Sequence, residues 1–319
     1  MMKGWEFTYT HKPLRLVEKP DPVAKPGYVA LDVKACGLCH SDVGAMEDEK
    51  WLALMKYPLI IGHEYAGVIT EVGEGVTGYN VGDRVGVCPM PTKDGYGGGY
   101  GRDGGYATKS TAPVEMLVPI PDNVSFPYAA AATDAGMTSH HAVAVAGGAK
   151  PGINMGIIGI GGLGQIGTRV AVLKGANVYA ASRNPVAREE AMKLGCKAAY
   201  STISEVAEHV DLDVIVDFAG AGQTTSDAIE AIGPKGRVVL VGMAKLETTI
   251  NTMPVILKEV TLVGSQGGTK EDIAAVYEMM ASGDLKPEII EIGFDEIADG
   301  LEKLHQGGVK GRMVAMMDR

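Results

Sequence analysis

The stretch Ile153-Asn154-Met155-Gly156-Ile157-Ile158, running into Gly159-Ile160-Gly161-Gly162-Leu163-Gly164, decides how the chain folds. An apolar run of strand length meets G-x-G-x-x-G, and an apolar helical pattern over residues 165–174 opens behind it. Each glycine has a physical task. The first allows a tight turn, the second lets backbone approach a pyrophosphate, and the third lets helix and strand pack closely. A helix beginning there offers unpaired N–H groups and a partial positive charge to phosphate. Gly159, Gly161, Gly162, Leu163 and Gly164 are thus dinucleotide-binding candidates, the plainer alternative being a structural glycine turn.

The pattern repeats downstream. Apolar runs at 177–181, 213–216 and 237–241 alternate with helical segments at 165–174 and 186–194, each followed by glycine. Strand–helix alternation predicts a parallel sheet covered on both faces. Gly242, just past the 237–241 run, joins the cofactor-binding candidates. The residue after the second strand is Ser182, 18 positions beyond Gly164, followed by Arg183. An acidic residue there would accept hydrogen bonds from the adenosine ribose of NAD. A small hydroxyl followed by a guanidinium suits a 2′-phosphate instead, so NADP(H) is favoured over NAD(H). A solvated Ser-Arg loop is the alternative.

Upstream of about residue 125 the texture differs. Short β-like runs at 28–35, 66–72 and 84–87 are punctuated by Gly and Pro. A Gly/Tyr-rich segment, 89–105, reads as an irregular loop and by default a flexible surface excursion. After residue 263 one further helix is expected at 272–281, then a tail holding Gly311-Arg312. The whole reads as α/β: a β-rich part first, then a strand–helix part with the dinucleotide turn.

The 319 residues suffice for two domains with their own cores. Against 29 Lys and Arg stand 39 Asp and Glu, a formal charge of −10. That balance argues against nucleic-acid and anionic-membrane partners. No uninterrupted apolar stretch reaches the length of a membrane span, and the first ten residues lack a signal-peptide core. Cys36, Cys39, Cys88 and Cys196 are too scattered for a disulfide scaffold, which fits a reducing, cytoplasmic setting.

Cys39-His40-Ser41-Asp42 and Gly62-His63-Glu64 hold a second set of chemistry. Thiolate and imidazole are typical zinc ligands. Taken alone, Cys36-x-x-Cys39 could equally be a redox pair or two inert thiols, and His63 a core histidine.

These two motifs, with Tyr65-Ala66-Gly67, Gly82-Asp83-Arg84-Val85, the glycine turn and the closing Gly311-Arg312, resemble the zinc-type medium-chain dehydrogenase/reductase family over essentially the whole chain. The resemblance implies a Rossmann dinucleotide-binding domain, 136–264, joined to a β-rich, GroES-like catalytic domain, 1–135 and 265–319. It makes Cys39 and His63 the first two ligands of one catalytic zinc. Asp134 stands where the third ligand, usually Cys, is found; a helix N-cap is its alternative role. Asp42 orients His63, and Glu64 supports the ligands or serves as an occasional fourth. Ser41 handles the substrate oxygen, Arg312 pairs with the pyrophosphate, and Trp51, Leu54 and Met90 line an apolar substrate pocket. Two departures stand out. Residues 89–105 hold no cysteine, so the family's second, structural zinc is not expected, and the position of a proton-relay histidine is Gly44. The activity implied is hydride transfer between NADP(H) and an alcohol, aldehyde or ketone, by a homodimer or homotetramer. The rivals are a zinc-free NADPH-dependent enone or quinone reductase and an inactive dinucleotide-binding protein with a structural or regulatory role.

Overall fold

The computed structural model describes residues 1–93, 95 and 97–319, and divides the chain into Met1–Ala135 with Thr269–Arg319, and Gly136–Gly268. Tyr96, in the glycine- and tyrosine-rich segment, lies outside the described residues.

The second unit is built on six parallel strands. Their spatial order is Ala198–Tyr200, Asn177–Ala181, Asn154–Ile158, Val214–Asp217, Arg237–Leu240, Thr261–Gly264. In chain order this is 3-2-1-4-5-6, the Rossmann arrangement. Met155–Ile158 and Val214–Asp217 are buried at every position, as central strands covered on both faces must be. Helix Gly162–Leu173 turns Ile166, Val170 and Ala171 inward at helical spacing. Gly159 connects strand to helix with φ +84°, a conformation other residues adopt only with strain. A Cβ on Gly164 would lie 1.8 Å from the Gly159 carbonyl oxygen, so the strand–helix approach excludes any side chain.

The first unit holds a sheet whose path runs Ile289–Gly293, Arg312–Met316, Tyr28–Gly37, Glu64–Val72, Arg84–Val87, Leu117–Pro119, with Lys109–Pro113 also paired to Tyr28–Gly37. A three-stranded sheet adds Met2–Phe7 between Arg15–Lys19 and Leu59–Ile60. Phe7, Leu31, Ile60, Ile61, Tyr65 and Ile69 form the centre of the core, all essentially inaccessible.

Two expectations need correction. The C-terminal region carries a second helix, Ile297–Gln306, and the strand pair Ile289–Gly293 and Arg312–Met316, beyond the single helix expected there. Ile297, Leu301 and Leu304 are its buried stripe. Gly300 counts against a helix by propensity, but its Cβ would collide with Leu38, Ile292 and Met313, so packing outweighs propensity. The glycine-rich segment is irregular yet no surface excursion over its second half. The backbone N–H groups of Gly104, Gly105 and Tyr106 donate to the carbonyls of Ile60, Gly62 and Ile61 at 2.6–3.0 Å. Among the described residues no helix is long and apolar enough to cross a membrane.

Candidate active site

The first unit gathers its chemistry at the ends of three elements. Cys39 is the N-cap of helix His40–Glu47, which puts Ser41 and Asp42 in the first turn. His63 precedes strand Glu64–Val72, and the Gly62 before it has φ +90°, turning the chain so that the imidazole points into the unit. A Cβ on Gly62 would meet the Tyr106 ring at 2.4 Å. Asp134 follows helix Phe126–Ala131, inside the π-helical turn Ala132–Gly136. It therefore lies within a helical run and caps nothing, and wide turns of this kind recur at functional sites.

One ligand atom each from Cys39, His63 and Asp134 lies within 4.8 Å of the others. His63 Nε2 is 3.3 Å from Asp134 Oδ2 and 3.4 Å from Ser41 Oγ. On the other edge of the ring, Nδ1 lies 3.4 Å from Asp42 Oδ1. Asp42 is fixed in turn: its Oδ2 accepts from Tyr106 Oη at 2.7 Å and from the Cys39 amide at 3.2 Å. His63 is buried, so its ring cannot swing away.

Behind these three sits an ion-pair network. Glu64 is fully buried, and Arg312, 3% exposed, grips it with Nε and Nη2, the Nε–Oε1 distance being 3.1 Å. Arg312 Nη2 also donates to Asp134 Oδ2 at 3.2 Å. A side chain at Gly37 would run into the Glu64 carboxyl, which is why the facing strand carries glycine there. This placement gives Arg312 two carboxylate partners within the first unit. Its guanidinium compensates the fully buried Glu64 carboxyl and the part-buried Asp134 carboxyl. Glu64 likewise faces Arg312, with both carboxylate oxygens engaged.

The charges follow from this packing. Burial lowers the His63 imidazole, but Tyr100, Asp42 and Asp134 around it outweigh that and hold its pKa well above that of a free histidine. Burial raises Asp134, yet His63 and Arg312 more than reverse it, leaving the carboxyl well below the usual range. Burial drives Glu64 up to about 8, against the opposing pull of Arg312. A thiol, an imidazole and a carboxylate held this close fit a three-ligand catalytic zinc site with a position left open, and metal would displace the proton from His63.

Of the three expected pocket residues, Trp51 lies over Gly44, where a Cβ would come 2.6 Å from its ring. Leu54 is 38% exposed and Met90 half-buried. Tyr100 and Tyr106 escaped the sequence reading altogether. Tyr100 sits in the Gly-rich segment and Tyr106 directly after it, where nothing local marks an aromatic as facing Cys39 and His63, 37 or more residues earlier.

In the other unit, Ser182 follows strand Asn177–Ala181, half-buried, with Arg183 exposed beside it. Arg188 holds this turn from the next helix, donating to the Ser182 carbonyl at 2.7 Å and to that of Arg183 at 3.1 Å. Gly242 packs against the loop after strand Val214–Asp217, its Cβ position 2.4 Å from the Ala219 backbone. Asp217, fully buried, secures that loop by accepting from the amides of Ala219 and Gly220 and the hydroxyls of Thr224 and Thr225 at 2.8–3.0 Å.

Residues 25–122 match the alcohol dehydrogenase GroES-like domain, and residues 162–282 the zinc-binding dehydrogenase domain. An alcohol dehydrogenase from Geobacillus stearothermophilus is 34% identical over 99% of this chain and 100% of its own length. This chain belongs to the zinc-binding alcohol dehydrogenase family. Two solved structures share its fold: an alcohol dehydrogenase from Aeropyrum pernix (TM-score 0.91, 27% identity, 99% and 100% of the two chains) and acetophenone reductase from Geotrichum candidum in complex with NAD (TM-score 0.90, 27% identity, 99% and 97%). The chain is thus a medium-chain alcohol dehydrogenase-type oxidoreductase, a Rossmann unit paired with a GroES-like unit.

Proposed function

We propose that this family member is a zinc-dependent dehydrogenase moving hydride between NADP(H) and an alcohol, or its aldehyde or ketone. The observation that carries the reading is the convergence of Cys39, His63 and Asp134 beside the Ser41 hydroxyl. These three residues would hold one zinc per chain; no cysteine in residues 89–105 is available for a second. Bound zinc supplies a Lewis acid for the substrate oxygen, and bound nicotinamide supplies or accepts hydride at the adjacent carbon. The protein's part is positional. Asp42 keeps the His63 ring oriented from behind, Arg312 and Glu64 brace Asp134, and Ser41 directs its hydroxyl at the substrate oxygen. An apolar pocket bordered by Trp51, Leu54 and Met90 is part of the proposal.

The glycine turn at Gly159–Gly164 and Gly242 would receive the dinucleotide. Acetophenone reductase is described with NAD, so the preference for NADP(H) rests on Ser182 and Arg183. Ser182→Asp places an anion against the 2′-phosphate, a like-charge contact that should shift the ratio of kcat/KM values towards NAD(H) by about tenfold to hundredfold. A ratio that stays put would assign the choice to other residues.

The edge strand Thr261–Gly264 presents Leu262, and helix Thr252–Leu257 beside it presents Met253, Ile256 and Leu257, all between 44% and 75% exposed. A second copy of this chain is proposed to cover them. The purified protein should carry about one zinc per chain, sediment as a dimer or a multiple of one, and oxidise or reduce members of an alcohol and carbonyl panel. Zinc-free protein reducing enones at full rate would refute the reading. Tight NADPH binding without turnover would favour a non-catalytic role.

A further inference from the structure

The Ser41 hydroxyl has a partner from outside its own helix. Tyr100 Oη donates to Ser41 Oγ at 3.2 Å, and the Tyr100 ring lies 4.9 Å from the His63 ring, centroid to centroid. That tyrosine is held from several sides. Its carbonyl accepts from the Lys56 amide at 2.7 Å, and Asp103, three residues on, accepts from the Ile60 amide at 2.8 Å. Gly99 packs its Cα against Gly62, where any Cβ would come 2.8 Å from backbone. The glycines of this segment therefore bring one aromatic hydroxyl to the site through a close backbone contact. One helical turn beyond Ser41 stands Gly44, without a side chain and covered by Trp51.

Hydrogen-bond accounting gives this contact a consequence. A serine hydroxyl has one hydrogen and two acceptor positions. Tyr100 fills one acceptor position, and His63 Nε2, 3.4 Å away, can no longer exchange a hydrogen bond once it ligates a metal. The Ser41 hydrogen is then free to point at a substrate oxygen, with its direction set by the donor behind it.

We propose that Tyr100 is a positioning residue for hydride transfer, its hydroxyl orienting the Ser41 hydroxyl towards the substrate oxygen. The proposal rests on the reading that Ser41 works on that oxygen. Nothing in it requires Tyr100 to lose its proton.

Tyr100→Phe, Ser41→Ala and the double variant test it as zinc-loaded protein. Tyr100→Phe should lower kcat about tenfold with KM changed less than about twofold, because an interaction made mainly in the transition state is lost. Ser41→Ala should lower kcat by about a hundredfold, and the double variant should match Ser41→Ala alone, since two residues acting as one unit are not additive. Zinc content, dinucleotide affinity and the visible spectrum of the Co(II)-substituted protein should be the same in Tyr100→Phe as in the unaltered chain. A Tyr100→Phe variant with unchanged kcat overturns the proposal. So does a tenfold loss that persists in the Ser41→Ala background, or a loss accompanied by failed folding or lost metal, which would make the hydroxyl merely structural. If Ser41→Ala itself retains full kcat, the role of Ser41 is wrong and the proposal falls with it; that outcome is read without any Tyr100 variant.

Discussion

Cys39→Ala should leave less than about a tenth of a zinc per chain, because a carboxylate and an imidazole alone make a poor zinc site. The loss of activity should be the largest of any single substitution in the first unit. A Lewis acid at the substrate oxygen would lower the barrier by several kcal/mol, and each 1.4 kcal/mol is tenfold, so kcat/KM should fall by about a thousandfold or more without it. Dinucleotide affinity should hold within about twofold, since the Gly159–Gly164 turn belongs to the other compact unit. Metal analysis, steady-state kinetics and fluorescence titration with NADPH read the three quantities separately. Unchanged activity in the zinc-free variant would refute a metal mechanism. Unchanged zinc with lost activity would move Cys39 from metal binding to some other task.

Arg312→Leu should produce the largest loss of stability. It removes the cation from a fully buried Glu64 and from Asp134, whose side chain is 15% exposed. Breaking such a pair from one side costs about 3–5 kcal/mol where the carboxyl left behind is charged, so the Asp134 share is expected at neutral pH and the Glu64 share at alkaline pH. Chemical denaturation of the metal-free protein should show this as a lower midpoint with an unchanged slope. The pH dependence has a definite sign. Glu64 titrates near 8 in the folded protein and near 4.5 unfolded. Between those values the folded chain holds a proton that the unfolded chain has released, so this group's contribution to stability declines as pH rises from 4.5 to about 8. Asp134, held low, acts oppositely: its contribution is present above its ordinary value of 3.8 and is lost as pH falls below it. Without Arg312 the Glu64 carboxyl should titrate higher still, and the alkaline loss should steepen. At alkaline pH, where the carboxyl ionises, Glu64→Gln in the Arg312→Leu background removes the stranded charge and should recover part of the stability. Recovery would separate a charge effect from lost packing; a cost below about 1 kcal/mol for Arg312→Leu would mean that the pair does not hold the fold.

The placement of Arg312 shows where reading along the chain stops. Its position near the C-terminus, next to Gly311, carries no local sign of burial, and a lone Arg reads as a surface residue or a phosphate partner. Strand pairing puts it opposite: Arg312–Met316 lies beside Tyr28–Gly37, which lies beside Glu64–Val72, so residues 64 and 312 meet across two strand pairings. Tyr100 is a comparable case. The glycine content of its segment reads as looseness, yet at Gly97, Gly99 and Gly104 a side chain is missing where two backbones touch. Helix Ile297–Gln306 has helical apolar spacing, and Gly300 within it and Gly307-Gly308 behind it obscure that pattern in the sequence.

By itself the sequence determined the fold class, the glycine turn between strand and helix, and the family. Those depend on short-range patterns: strand length, helical period, and glycines at the spacing a strand–turn–helix needs. It also nominated Cys39, His63 and Asp134, though separated by as many as 95 positions. Only the tertiary structure decided that one ligand atom from each of these three falls within 4.8 Å of the others, that Asp134 sits inside a helical turn, and that Glu64 and Arg312 pair behind it. The physical reason is that ligand convergence and charge compensation are set by distance through space. Sheet register and close glycine contacts fix those distances, and neither leaves a periodic trace in the chain.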